Sequence, residues 1–329
     1  MTMQSPLLKV ADLKVHFPIG RGSVVHAVDG VSFEVQRGTA FALVGESGSG
    51  KTTTAMACVR LAEPTSGQIL LDGQDITALS GARLRESRRQ MQVIFQDPYA
   101  SLNPRERVAS IVRRPLELMQ IGTAAQRQAR VDELFEMVGL RPEQQTLFPH
   151  QFSGGQRQRI GIARALATKP ALIVCDEPVS ALDVAIQAQI LNLLAKFKRE
   201  LALTYLFISH DLGVVQHLCD EVAVMYLGRI VERASRKALF TKPLHPYTRA
   251  LLSAVPSARL TARPWGEPIK LQGEPPDPIN LAAGCRFAGR CPFAVERCHV
   301  EEPQLLEAGA ETMVACHRVA VHNGIAEFN

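Results

Sequence analysis

Residues 45–52 read Gly-Glu-Ser-Gly-Ser-Gly-Lys-Thr and fit G-x-x-x-x-G-K-[ST]. No other stretch limits the possible folds as strongly. The apolar run Ala40–Val44 precedes it, and Thr52–Leu61 follows as a helix-compatible segment. Strand, tight glycine turn and helix N-terminus are the context that a phosphate-binding loop needs. Gly45, Gly48 and Gly50 permit backbone geometry closed to residues with a side chain, so successive N–H groups can converge on phosphate oxygens. Lys51 is expected to reach the β- and γ-phosphates and the Thr52 hydroxyl to ligate Mg²⁺. Glu46, Ser47, Ser49 and Thr53 complete the candidate nucleotide site. The loop implies a nucleoside triphosphate without saying what it is used for.

The rest of the chain is consistent with such a unit. At 329 residues it can bury a real core and carry one large domain plus an appendage. A net charge of +5, with both signs spread along the sequence, does not argue for a nucleic-acid partner. Met1–Val10 shows no apolar core behind a basic start, so no secretory signal is expected. No apolar run approaches the roughly 18 residues needed to span a bilayer, which makes any membrane role peripheral. Seven cysteines without an export signal point to a reducing compartment. Cys58, Cys175 and Cys219 sit in apolar surroundings and read as core residues.

Leu8–Phe17 and Val31–Val35 read as strands of a small sheet ahead of the loop. Glu63-Pro64-Thr65-Ser66-Gly67 is turn chemistry, followed by strands over Gln68–Leu71 and Gln92–Phe95. From about 97 to 165 the pattern turns helical, with helices expected over Val108–Met119 and Ala124–Val138 and a third opening at Ser153. Strands return at Ala171–Cys175, Tyr205–Ile208 and Glu221–Met225, with a helix over Val184–Leu201 between the first two. Alternating strands and helices predict an α/β core with a largely parallel sheet, and residues 97–165 as a helical insert in it. Six prolines between Pro256 and Pro278 predict an extended connector.

Two further stretches carry chemistry. Ala171–Cys175 delivers Asp176-Glu177 to the carboxyl end of a strand, where parallel sheets bind ligands. Asp176 suits Mg²⁺, and Glu177 suits acceptance of a proton from an attacking water. Phe152-Ser153-Gly154-Gly155-Gln156-Arg157-Gln158 puts bare glycines and a serine at a helix N-terminus. This makes either a second anion site or a plain helix cap.

Positions 8–232 resemble the ATP-binding subunits of ABC transporters. The resemblance rests on six ordered motifs: the phosphate loop Gly45–Thr52, the Q-loop Gln96, the signature Ser153–Gln156, the Walker B pair Asp176-Glu177, the D-loop Ser180-Ala181-Leu182-Asp183 and the switch His210. Phe17 matches an aromatic that stacks on adenine. Phe152 stands where the family more often has Leu. The resemblance implies a P-loop NTPase (RecA-like) core with a small antiparallel β subdomain and a helical subdomain. It also implies two ATPase units docked head to tail, with Ser153–Gln156 closing over the partner's ATP. Gln96 and His210 would sense the γ-phosphate, Glu177 would polarise water, and Thr52, Gln96 and Asp176 would hold Mg²⁺.

Residues 95–105 and Leu244–Leu252 resemble the dipeptide/oligopeptide permease group, the signature and Asp97-Pro98-Tyr99 being closer to the second ATPase of such systems. That implies a heterodimer with a related ATPase, two membrane permease subunits and an extracytoplasmic binding protein. The chain would work at the cytoplasmic face of the inner membrane, with the permeases docking near Gln96–Arg105. Domains are expected at 1–240 and 241–329.

Cys285-x₅-Cys291-x₆-Cys298-x₁₇-Cys316 is a set of four thiols able to close around zinc or a [4Fe–4S] cluster, or simply to pack as reduced thiols. The spacings exceed the C-x₂-C pairs of zinc ribbons, which favours iron–sulfur, and the tails of the resembled group are associated with such clusters. His299 and His317 are substitute ligands.

The leading expectation is an ATPase driving import of di- and oligopeptides. An importer of nickel or another small solute built on the same subunits is the nearest alternative. An ABC ATPase acting on DNA or ribosomes is the other. Only about a hundred residues, without heptads, separate Thr52 from Ser153, too few for the long coiled coil of DNA-acting members.

Overall fold

The structure is a computed structural model and describes residues 5–20, 22–254, 269, 271, 273, 276–281, 283–309, 311–322 and 325–328. In chain order the elements are β1 (Leu8–Pro18), β2 (Val24–Val35), β3 (Ala40–Val44), α1 (Lys51–Cys58), β4 (Ser66–Leu71), β5 (Gln74–Asp75), α2 (Gly81–Arg89) and β6 (Met91–Ile94). Then come α3 (Val108–Leu118), α4 (Ala124–Met137), α5 (Gly154–Leu166), β7 (Leu172–Asp176), α6 (Val184–Glu200), β8 (Thr204–Ser209) and α7 (Leu212–Leu218). The chain continues through β9 (Glu221–Tyr226), β10 (Arg229–Ser235), α8 (Arg236–Thr241), α9 (Pro246–Ala254), α10 (Glu296–Val300), β11 (Leu306–Glu307) and β12 (Thr312–Val314). A closing hairpin pairs Val319–His322 with Ile325–Phe328.

Two compact units share the chain, each assembled from segments far apart in sequence. The first holds Met1–Leu8, Glu34–Ala40 and Leu70–Phe207; the second holds Lys9–Phe33, Phe41–Ile69 and Ile208–Asn329.

In the first unit β6 and β7 pair in parallel, from Met91 opposite Leu172 to Ile94 opposite Cys175. All five β7 residues are buried, as expected of a strand covered on both faces. Helices α3, α4 and α5 pack on one another. α4 begins where a capping box closes: Thr123 Oγ1 accepts the Gln126 N–H while Gln126 Oε1 accepts the Thr123 N–H. The expected helical pattern begins only at Val108. Residues 97–107 form turns instead, because the Asp97 and Asn103 carboxyl and amide oxygens accept the Tyr99 and Arg105 N–H groups.

In the second unit β3 and β9 are parallel, Phe41 opposite Glu221 through Val44 opposite Val224. β9 then turns into antiparallel β10 through Leu227-Gly228, both at positive φ (42° and 77°). Such a two-residue turn matches the twist of the strands it joins. β12 and β11 extend the sheet antiparallel, so the tail contributes strands and the sheet is mixed on this side. β1, β2 and β4 belong to a separate small sheet in the order β2-β1-β4, and β2 begins seven residues earlier than the apolar pattern suggested, because within Val24–Gly30 only Val28 is fully buried. The connector expected over 256–278 lies mostly outside the described residues. Within it the Pro278 carbonyl accepts the His26 N–H at 3.2 Å.

Candidate functional site

The loop 45–52 has the predicted backbone. Gly45, Gly48 and Gly50 have φ of 151°, 78° and 98°, all in the region that favours glycine. Space demands glycine as well: a Cβ would lie 2.3 Å from the Met225 carbonyl oxygen at Gly45 and 2.2 Å from that of Ala27 at Gly50. Gly50 is the N-cap of α1, so the loop ends on the electropositive end of a helix. The buried Lys51 ammonium donates to the Gly45 and Glu46 carbonyls at 2.9 and 2.7 Å and lies 3.3 Å from Ser49 Oγ. Thr52 is exposed and Thr53 half-buried.

Glu46 does more than fill a variable position of the motif. Its N–H donates to the Tyr247 hydroxyl oxygen at 2.8 Å, and its two carboxylate oxygens accept from Arg290 Nη1 and Nη2 at 2.7 and 3.2 Å. Nothing local in the sequence signals these contacts, which reach 201 and 244 positions along the chain.

Phe17, next to the last residue of β1, is 45% exposed. Its neighbour His16 belongs to a trio not foreseen from sequence. His16 Nε2 lies 3.1 Å from Asp29 Oδ1 and 3.3 Å from His26 Nδ1. Asp29 is also paired with Arg286 and Arg229. Burial alone would raise its pKa, but the Arg286 hydrogen bond and charge, the Arg229 charge and the His16 hydrogen bond together hold the carboxyl below its ordinary range.

The two carboxylates follow from strand register. Ile94 faces Cys175, so two residues further on Gln96 meets Glu177, donating its side-chain amide to Glu177 Oε2 at 2.8 Å. Asp176 is buried at the end of β7. Glu177 turns to φ 45°, a costly conformation for a residue with a side chain. The turn is held by the Ser180 N–H and hydroxyl, both donating to the Glu177 carbonyl. His210 is exposed immediately after β8, and the Asp211 carboxylate caps α7 behind it.

Ser153 caps α5 in a reciprocal box with Gln156. Its glycines have a packing reason. A Cβ on Gly155 would lie 2.4 Å from Ile186 Cγ2, and one on Gly154 3.4 Å from Leu182 Cδ2. Gly154 and Gly155 thus pack on Leu182 and on Ile186 at the start of α6, whose N-terminus is capped by Asp183 at 3.0 Å. Ser153, Ser180, Ala181 and Asp183 remain exposed. Phe152 is buried, its ring filling core volume. The segment after Gln96 is tied to α5 as well. The Arg157 guanidinium stacks 3.6 Å from the Tyr99 ring centroid, and Arg164 donates to the Ser101 carbonyl at 2.5 Å.

The four tail cysteines are reduced and come together. The Cys285 N–H donates to the Cys298 carbonyl at 2.8 Å. Burial pushes the Cys291 thiol up to about 11 and Cys316 up to about 12; the charges of Cys285 and Cys298 add to both shifts, and that of Cys291 to the second. His317 Nε2 lies 2.9 Å from the Glu301 carbonyl, and His299 is exposed.

A family profile described as "ABC transporter" matches residues 28–180, and one described as "Oligopeptide/dipeptide transporter, C-terminal region" matches 231–298. The oligopeptide transport ATP-binding protein AppF of Bacillus subtilis is 50% identical over 321 residues, covering 95% of this chain and 98% of that protein. A putative peptide import ATP-binding protein of Brucella ovis is 51% identical over 315 residues, covering 96% and 98%. Among solved structures, the ATP-binding cassette MJ0796, a dimer in a post-hydrolysis state with ADP and Pi, superposes with a TM-score of 0.64 at 28% identity over 70% of this chain and 98% of that one. The cbiO1 protein of Clostridium perfringens, part of the ABC transporter complex cbiONQ, gives 0.64 at 28% identity over 73% and 92%.

Proposed function

The chain belongs to the ABC transporter family and carries that family's oligopeptide/dipeptide C-terminal region, and from this premise we propose that it is the ATP-hydrolysing subunit of an importer for di- and oligopeptides. The observation that carries the reading furthest is the Gln96–Glu177 hydrogen bond at the carboxyl ends of two paired parallel strands. It couples a candidate proton acceptor to the Gln96–Arg105 segment, where the permeases are expected to dock.

In this reading Lys51 and the loop N–H groups hold the β- and γ-phosphates, while the Thr52 hydroxyl, Gln96 and Asp176 offer oxygen ligands for Mg²⁺. Mg²⁺, when bound, neutralises charge on the β- and γ-oxygens. Glu177 takes the proton of the attacking water, held in position by Gln96 and by its own fixed backbone turn. Phe17 stacks on the base, and His210 reads the γ-phosphate. Ser153–Gln156, with the exposed Ser180–Asp183 beside it, closes over the nucleotide of a second, homologous ATPase. The working unit is therefore a heterodimer, with residues 1–240 as the ATPase domain, about 97–165 as its helical subdomain and 241–329 as the tail.

Two membrane permease subunits and an extracytoplasmic binding protein complete the system, and the chain works peripherally at the cytoplasmic face of the inner membrane. Among the described residues no helix is long and apolar enough to cross a membrane. A cavity of about 340 Å³ lined in part by Gln92, Ser101, Arg114, Leu118 and Arg164 suits a short permease helix, since Arg164 and Ser101 join it to the Gln96 segment.

Cys285, Cys291, Cys298 and Cys316 fit a [4Fe–4S] group. Cys298 is buried and the other three are half-buried, and four thiols gathered in one module form a donor set that a cationic cluster stabilises. When bound, such a group cross-links the tail.

The test is co-expression with the permeases and assay in proteoliposomes. ATP-dependent uptake of a labelled tripeptide supports the reading. Uptake of nickel without peptide moves it to the small-solute alternative, and nuclease-sensitive association with DNA or ribosomes overturns it.

A further inference from the structure

We propose that Arg290 and Tyr247 are positioning residues for the phosphate loop, so that the C-terminal tail presets the ATP site through Glu46. The inference rests on the reading of Gly45–Thr52 as an ATP-binding loop.

Three groups of one residue carry the argument. The Glu46 carbonyl accepts from Lys51 Nζ at 2.7 Å. Its N–H donates to Tyr247 at 2.8 Å, and its carboxylate is held by both terminal nitrogens of Arg290. The tail thus reaches the lysine that is to meet the triphosphate through a single intervening residue. The charge balance points the same way. A carboxylate in a loop that must receive a polyanion repels it, and a two-pronged guanidinium contact offsets that repulsion. Arg290 is well placed for this, its side chain only 7% exposed against 28% for Glu46, so solvent screens the pair little.

Arg290 is itself fixed. Phe287 packs at 5.3 and 5.4 Å from the rings of Tyr226 and Tyr247, which lie 4.7 Å from each other. Arg286 pairs with Asp29 and donates to the Leu227 carbonyl. The next residue, Gly228, donates its N–H to Ser49 of the phosphate loop at 3.0 Å. Tyr247 is fixed from the other side. The buried Glu232 carboxylate accepts the Leu244 and His245 N–H groups, and His245 Nδ1 accepts the Tyr247 N–H at 3.1 Å. The Leu244-His245-Pro246-Tyr247 stretch therefore acts as a relay from β10 to Glu46.

A contact that merely docked the tail would leave nucleotide affinity unchanged; a positioning contact moves KM and Kd for ATP while sparing turnover at saturation. The experiment measures Mg·ATP binding and steady-state hydrolysis on the full-length chain with its partners, for wild type, Arg290→Ala, Arg290→Lys, Glu46→Gln and the Glu46→Gln/Arg290→Ala double variant. Arg290→Ala is expected to raise Kd and KM about five- to tenfold with kcat within about twofold, and Arg290→Lys to fall between. The double variant is expected to bind no more weakly than Glu46→Gln alone. Amide exchange at Glu46 should accelerate in Tyr247→Phe. Wild-type Kd and KM in Arg290→Ala, or an equal loss with and without the Glu46 carboxylate, overturn the inference. If Arg290→Ala does not fold, wild-type Kd and KM in Arg290→Lys do the same. Wild-type protein that binds no ATP overturns instead the reading of the loop, as Lys51→Ala with undiminished binding would.

Discussion

The Gln96 side-chain amide donates to Glu177 Oε2 at 2.8 Å, a pairing set by the register of two parallel strands. Glu177 cannot swing freely, because its backbone is fixed at φ 45° by the Ser180 contacts. Gln96 therefore contributes to where the carboxylate points. Gln96→Ala is expected to slow hydrolysis by roughly ten- to a hundredfold, the scale of an ångström-level misplacement of a reacting group. Mg·ATP affinity should fall less than the rate, because Thr52 and Asp176 still offer oxygen ligands for Mg²⁺. Steady-state rates with a parallel binding titration check this.

Gly155 and Gly161 lie in the same helix but in opposite circumstances. A Cβ at Gly155 meets Ile186 Cγ2 at 2.4 Å, whereas one at Gly161 meets nothing within 4 Å. Gly155→Ala is expected to cost about 1–3 kcal/mol from overpacking and to reduce turnover by pushing the start of α5 away from Ile186 of α6. Gly161→Ala should instead stabilise by about 0.5–1 kcal/mol through helix propensity. Denaturant unfolding of both variants separates the two effects.

Glu232 and His245 exchange a proton on folding. Burial pushes the Glu232 carboxyl up to about 7 and the His245 imidazole down to about 3. Between pH 4.5 and 6.5 the folded chain carries the proton on Glu232 and the unfolded chain carries it on histidine, so the two slopes cancel. Glu232→Gln leaves only the histidine, and stability should then rise with pH across this window by about 1.4 kcal/mol per unit. His245→Gln leaves only the glutamate, and stability should fall with rising pH by the same amount. Unfolding curves at several pH values read both signs.

The tail cysteines make a separate forecast. Anaerobically purified protein is expected to be brown, with iron and sulfide bound, and Cys298→Ser to lose both together with thermal stability. Metal analysis and the visible spectrum decide it. Stoichiometric zinc without iron contradicts the cluster.

The parts of this site that were legible in sequence are those in which neighbours in the chain are neighbours in space. The loop 45–52 needs only its own glycines and one helix, and Ser153 with Gln156 caps its own helix. Gln96 and Glu177 needed a strand register as well, which the motif order implied but no local pattern specifies. Glu46, Tyr247 and Arg290 were beyond reach, because an ion pair spanning 244 positions leaves no periodicity behind. Glu232 was hidden for a related reason. In Arg229–Ser235 it reads as a polar strand residue, yet it is fully buried because the start of the tail covers it with two N–H donors. The helical pattern overran into 97–107 because side-chain oxygens there compete for backbone donors.

The central claim is that Glu177 takes the proton in a site that a partner ATPase completes. Glu177→Gln tests it most directly, by sedimentation with and without Mg·ATP alongside hydrolysis rates. Retained ATP binding, a nucleotide-dependent dimer that persists, and turnover reduced to background are expected. Near-normal hydrolysis by Glu177→Gln, or rapid hydrolysis by the isolated wild-type monomer without concentration dependence, would contradict it.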